Sequence, residues 1–289
     1  MAFLQYNFYS SYLHADTNVN VILPDLTGDM QPEAFYTSGR RYPVLYLLHG
    51  LTGDYSNWMR YTGIERYACD NDLIVVMPSA ANSEYSYWPA PMTLPYDFPN
   101  YFIHELMPMV HHWLPASAER ADNFIGGLSM GGGGALRIAA YWPERFAGCA
   151  VLSSCAWNMD FLKEFADMDT ETFYAKMQKP ENRDFLDSHG VPNPYLSSIC
   201  KYGTVEEFLH SYDNTRSSIR TAVNAGTMPR VYNAIGTQDD GYEKFLDYRS
   251  FCGAIGADMR FDIYEGYGHV WELWDIAIRQ ALKYFGFNK

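Results

Sequence analysis

One short stretch of this 289-residue chain has the residue types and spacing for covalent chemistry: Gly127-Leu128-Ser129-Met130-Gly131. It matches G-x-S-x-G, in which small residues let the backbone turn sharply around a serine. A serine hydroxyl is a weak nucleophile until a neighbouring base takes its proton, so a histidine must join it. Three histidines follow Ser129: His189, His210 and His269. The first two fall in a charged, proline-containing region. His269 sits in Gly266-Tyr267-Gly268-His269, just before the last helical pattern, where a loop can deliver an imidazole. A carboxylate must then orient the ring and stabilise the imidazolium. Asp239 and Asp240, in Gly236-Thr237-Gln238-Asp239-Asp240, both qualify from their position alone.

These residues need elements to position them. Short, continuous apolar runs recur: Val44–Leu48, Leu73–Met77, Phe124-Ile125, Cys149–Leu152 and Val231–Ile235. Such runs suit strands buried on both faces, as in a parallel sheet covered by helices. Val19, Val21 and Leu23 share one face, and Phe261, Ile263 and Tyr264 fit a more exposed edge strand. Helical spacing links Phe98, Phe102, Leu106, Met109 and Trp113, and again Trp271, Trp274, Ile278, Leu282 and Phe285. The pattern predicts an α/β fold with right-handed crossovers in a single domain over 1–289. Ser129 then lies between the strand ending near Ile125 and the helix-like Ala135–Ala140, the strand–turn–helix setting that a nucleophile elbow requires. Residues 156–229, rich in charge and proline, read as a helical cap or lid inserted in that domain, and the acidic patches of 164–185 as its solvated surface.

An acyl-transfer site also needs two backbone donors for the oxyanion. The Met130 N–H, next after the nucleophile, is one. The Leu51 N–H, in the loop His49-Gly50-Leu51-Thr52-Gly53 after the strand Val44–Leu48, is the other. His49 is expected to brace that loop. Trp58, Tyr85, Tyr87, Trp88 and Trp157 lie in segments that follow strands, at the sheet edge where ligands of open α/β sheets bind, and are candidate substrate-lining rings. Other rings, among them Tyr46, Trp113, Trp274 and Phe285, belong to buried strands and helix faces, so the 17% aromatic content divides between core and site.

Composition excludes other classes. The net charge of −13 and the lack of a Lys/Arg run argue against a nucleic-acid partner. No 18-residue apolar stretch occurs, so no membrane helix is expected, and the N-terminal residues do not read as a signal peptide, which makes cytoplasmic the expected location. His111 and His112 are adjacent rather than at i, i+4, no H-E-x-x-H occurs, and the five cysteines lack ligand spacing; neither metal nor cofactor is expected. A homo-oligomer is left open.

Several motifs, in order, resemble the esterase D-like branch of the α/β-hydrolases, especially its tributyrin-esterase and acetyl- or feruloyl-esterase members. They are Pro43–Gly50 with Gly53 and Trp58, Leu73–Pro78, Gly127–Gly132, Gly236-Thr237-Gln238-Asp239 and Gly268-His269. The resemblance implies an α/β-hydrolase fold and a serine carboxylesterase acting on short-chain acyl or cinnamoyl esters, free or carbohydrate-linked. It also implies the Asp of the G-x-x-D turn, Asp239, as the acid. Members that hydrolyse S-formylglutathione usually carry Cys where this chain has Gly53, and relatives usually have a larger residue at Gly133. Alternatives from the same residues are an acyltransferase, an S-formylglutathione-type thioesterase, and a non-catalytic ligand-binding module.

Overall fold

The structure is a computed structural model that describes residues 1–26, 28, 30–89, 94–182 and 198–288. Its strands in chain order are β1 (Ala2–Ser10), β2 (Ala15–Leu23), β3 (Val44–Leu48), β4 (Ile74–Pro78), β5 (Tyr87–Trp88), β6 (Tyr96–Asp97), β7 (Asn123–Leu128), β8 (Gly148–Leu152), β9 (Arg230–Gly236) and β10 (Met259–Tyr264). Eight of them form one sheet in the order β1-β2-β4-β3-β7-β8-β9-β10, and β5 pairs separately with β6. The pairs from β4 through β3, β7, β8 and β9 to β10 are parallel; only β1 and β2 join antiparallel, at one edge.

The central strands are apolar throughout because both faces are covered. Val44, Tyr46 and Leu48 enter one core with the helix Met130–Tyr141, whereas Leu45 and Leu47 enter another with the helix Trp271–Phe285. That is the period-two alternation of a strand between two helical layers. β10 is an edge strand and only partly buried. β1, which the apolar-run reading does not anticipate, alternates Leu4, Tyr6 and Phe8 inward against exposed Phe3 and Tyr9. Aromatic residues on both faces hide its period.

One helix departs from the expected face. Phe98, Phe102 and Leu106 are buried, but Trp113 is 66% exposed. Residues Tyr101–Leu106 form a π-helical stretch between Phe98–Asn100 and Met107–Trp113. A π-turn uses about one residue more than an α-turn. The pattern downstream is therefore rotated, and Trp113 turns out of the core.

Between β8 and β9 the described residues form the helices Thr170–Met177, Val205–Leu209 and Thr215–Asn224. Met159, Leu162, Phe173, Ile199 and Phe208 make a separate apolar cluster there, while Ile219 of the last helix joins the main core. Residues 183–197 of the 156–229 segment, including His189, lie outside the described residues. No helix among the described residues is long and apolar enough to cross a membrane.

Candidate active site

The C-terminal ends of β7, β8, β9 and β10 are held side by side by hydrogen bonds that continue the sheet one residue past each strand. Ser129 N donates to Leu152 O at 2.8 Å, Ser153 N to Ala234 O at 2.7 Å, and Thr237 N to Tyr264 O at 3.0 Å. The segments that follow β7, β9 and β10 carry Ser129, Asp239 and His269. They meet at the edge where open α/β sheets bind ligands.

Ser129 caps the helix Met130–Tyr141 with φ 53° and ψ −123°. A serine in that region is strained and persists only where its surroundings enforce it. Packing does so here. A β-carbon on Gly131 would lie 2.5 Å from the carbonyl oxygens of both Leu48 and His49, so only glycine lets the helix seat this close to β3. Gly236 serves the same end under the histidine loop, where a β-carbon would meet Tyr267 O at 2.0 Å.

His269 Nδ1 and Asp239 Oδ2 are 2.7 Å apart. The Asp239 side chain is nearly inaccessible, whereas His269 is 43% exposed. Burial works to raise the Asp239 pKa. The hydrogen bond to His269, the Gly241 N–H at 2.9 Å and the Ser153 hydroxyl outweigh it and hold the carboxyl below its usual range. Asp240 points elsewhere: it is exposed and lines the cavity beside Ser129. Among the described residues no hydrogen bond joins Ser129 Oγ to His269. Such contacts commonly tighten only when substrate binds.

The loop His49–Gly53 lies against Ser129. A β-carbon on Gly50 would stand 3.5 Å from Ser129 Cβ. Neither the Leu51 N–H nor the Met130 N–H donates to another described residue. His49 braces the loop. Its Nε2 accepts from Ala80 N at 3.0 Å, so Nδ1 is the protonated nitrogen and donates to Gly50 O at 2.7 Å. Burial depresses its pKa, which keeps the ring neutral.

The aromatic candidates separate. Trp88 and Trp157 line the cavity. Trp58 and Tyr85 do not: both are fully buried, with Trp58 Nε1 donating to Leu48 O at 2.9 Å and the Tyr85 hydroxyl to His49 O at 2.8 Å. Their polar atoms satisfy buried carbonyls beneath the loop His49–Gly53, so these rings support the site rather than line it. Tyr87 is 40% exposed in the β5–β6 ribbon, outside the cavity lining. Cys155 also lines the cavity, but burial pushes its thiol up to about 12, which leaves it a poor competitor to Ser129.

Residues that the motifs did not single out complete the surroundings. Trp274 packs edge-on against the His269 ring, centroids 4.9 Å apart, and Trp274 Nε1 donates to Ser153 Oγ. Helical spacing marks Trp274 only as a core residue, and nothing in the sequence marks Ser153. Lys201 and Asp213 form a buried ion pair in the cavity wall, 2.5 Å apart. Their separation in the chain from any motif leaves no local signal.

Comparison with known proteins identifies the family. Residues 10–285 match the Esterase family model. An acetyl esterase of Caldicellulosiruptor saccharolyticus is 27% identical over 292 residues, covering 98% of each chain. FphF, a fluorophosphonate-binding serine hydrolase of Staphylococcus aureus solved with substrate bound, superposes with a TM-score of 0.73 at 25% identity, covering 100% of this chain and 99% of that one. The S-formylglutathione hydrolase FrmB of Staphylococcus aureus superposes with a TM-score of 0.72 at 26% identity, covering 98% of each. The chain belongs to the Esterase family and is a serine carboxylic-ester hydrolase with the α/β-hydrolase fold.

Proposed function

We propose that Ser129 is the nucleophile, His269 the general base and acid, and Asp239 the residue that orients His269. The observation that carries this reading is the 2.7 Å contact between His269 Nδ1 and the buried Asp239 carboxylate, on the sheet edge that also holds Ser129. Ser129 Oγ attacks the ester carbonyl and its proton passes to His269 Nε2. The Leu51 and Met130 N–H groups receive the charge that develops on oxygen. Collapse releases the alcohol, which takes the proton from His269, and leaves an acyl group on Ser129. Water then attacks the acyl group with the same proton relay in reverse, freeing the acid and restoring the serine. The free N–H groups of the helix that starts at Met130 add their positive end to the oxyanion site.

The substrates proposed are esters of short acyl groups, acetyl or butyryl, or of cinnamoyl-type acids, with Trp88 and Trp157 along the bound acid. The acetyl esterase relative supports the first class, and the two indoles in the cavity support the second. We read the segment between β8 and β9 as a cap over this cavity, because its residues Met159, Lys201, Phe208 and Asp213 line it. A thioesterase acting on S-formylglutathione is the second reading, favoured by the likeness to FrmB. Gly53 weighs against it: a β-carbon there would fall 2.1 Å from Asn57 Oδ1, so the loop as built leaves no room for a thiol side chain without moving Asn57. The test is a panel of nitrophenyl esters of graded chain length, assayed with the wild type and Ser129→Ala together. Loss of about 10⁴-fold or more in turnover is expected for Ser129→Ala. Retention of activity by that variant would refute the mechanism.

A further inference from the structure

Part of the cavity runs from Ser129 along the helix Met130–Tyr141. Ser129, Gly133 and Arg137 all line it, and their i, i+4, i+8 spacing sets them along one face of the helix Met130–Tyr141, about 12 Å from end to end. Gly133 keeps this stretch wide, since a β-carbon there would come within 3.2 Å of Ser154 Oγ, another residue of the cavity wall. The cavity holds about 260 Å3.

Its far end is built from buried polar groups. Lys201 Nζ donates to Asp213 Oδ2 at 2.5 Å and to Ser86 Oγ at 2.6 Å, and lies 4.5 Å over the Trp88 ring. The Ser86 hydroxyl donates in turn to Asp213 Oδ1 at 2.6 Å, and the Tyr202 hydroxyl donates to Asp213 Oδ2 at 2.8 Å. Arg137 Nη1 stands 3.5 Å from Asp213 Oδ1 and completes the set of donors around this carboxylate. An ammonium has three donors, and Lys201 uses two, leaving one that no described residue takes. The Trp88 ring is fixed by its own Nε1, which donates to Ser83 O at 2.8 Å. Lys201 and Arg137 are balanced here by Asp213 and Glu84, all four in the cavity wall. A ligand carboxylate would add unmatched negative charge, whereas a neutral oxygen would accept the remaining hydrogen bond without one.

The two arms of the ester can be told apart. The leaving alcohol must sit within reach of His269 to receive its proton. His269 is half exposed and is not part of the cavity lining. The alcohol therefore faces solvent, and the acyl arm enters the cavity.

We infer that Lys201, held by Asp213 and Ser86, is a specificity-determining residue that recognises a neutral oxygen at the far end of a flat acyl arm. This rests on Ser129 being the acylated residue. The test compares kcat/KM for methyl esters of acetate, cinnamate, 4-hydroxycinnamate and 4-carboxycinnamate. The wild type is expected to favour 4-hydroxycinnamate over cinnamate by about tenfold or more, and to disfavour 4-carboxycinnamate. Lys201→Met and, as a variant that keeps the ion pair intact, Ser86→Ala should each shrink the hydroxycinnamate-to-cinnamate ratio, Lys201→Met toward one. Gly133→Val should lower the cinnamate-to-acetate ratio at least tenfold. A wild-type ratio of one, a preference for the carboxylate, or ratios unmoved by all three variants would overturn the inference while ester hydrolysis itself persisted. Hydrolysis surviving Ser129→Ala would instead overturn the acyl-enzyme reading, and the inference with it.

Discussion

The indole N–H of Trp274 donates to the hydroxyl of Ser153 across 2.9 Å, joining residues 121 positions apart. Ser153 follows β8 with φ 48°, and its hydroxyl also helps to hold the Asp239 carboxyl low. Trp274 thus touches His269 through its ring and reaches Asp239 through Ser153. A single hydrogen bond of this kind contributes about 1 kcal/mol. Ser153→Ala and Trp274→Phe should therefore lower kcat by about three- to tenfold with little change in KM. Steady-state kinetics on a nitrophenyl ester, with Ser153→Thr as the variant that restores the hydroxyl, would check this.

The neighbouring carboxylates should behave very differently. Asp239→Asn removes the charge that stabilises the imidazolium, and a loss of about 10³–10⁴ in kcat is expected. Asp240→Asn changes an exposed group that does not meet His269, and should cost less than about tenfold. Parallel kinetics of the two variants decide between them. Equal losses would mean that the acid has been misassigned.

Gly131→Ala would drive a β-carbon into two carbonyl oxygens of β3 and its following loop, and neither can swing aside as a flexible side chain could. Overpacking of this sort costs about 1–3 kcal/mol. Because it shifts the helix that begins at Ser129, activity should fall further than stability. Thermal unfolding alongside ester hydrolysis would show whether the two losses separate.

Acid stability should depend on Asp213. Burial works to raise its pKa, but Lys201, Arg137 and Ser86 outweigh that and hold it below the ordinary carboxylate value. A depressed folded-state pKa stabilises the protein above the unfolded value, about 3.9, and that contribution fades as pH falls through the folded value. Asp213→Asn should flatten this acid limb. At neutral pH it should cost about 3–5 kcal/mol, because burial already disfavours the Lys201 ammonium and its anion would be gone. Urea unfolding at pH 7 and at successively lower pH would measure both effects.

The parts readable from sequence are those whose cause is local. Continuous apolar runs reported β3, β4, β7, β8 and β9 because both faces of those strands are buried. The Gly127–Gly131 turn reported Ser129 because close backbone approach tolerates little else. Trp58 and Tyr85 misled because loop position says nothing about ring direction. Each ring turned inward to a carbonyl of β3 or of the residue after it. Trp113 misled because a π-turn lies upstream. Lys201, Asp213 and Ser86 meet across 115 and 127 residues with no periodic pattern to announce them.

The chain keeps the proposed catalytic groups and its cavity wall on largely different connections. Ser129, Asp239 and His269 follow β7, β9 and β10, while Lys201 and Asp213 arrive on the excursion between β8 and β9, and Ser86 and Trp88 on the one between β4 and β7. Those two excursions can diverge, lengthen or be exchanged between relatives while the sheet goes on presenting the same reactive edge. Selectivity in such a scaffold can be inherited separately from reactivity, so a library confined to those two connections would explore new substrates from an already competent catalyst.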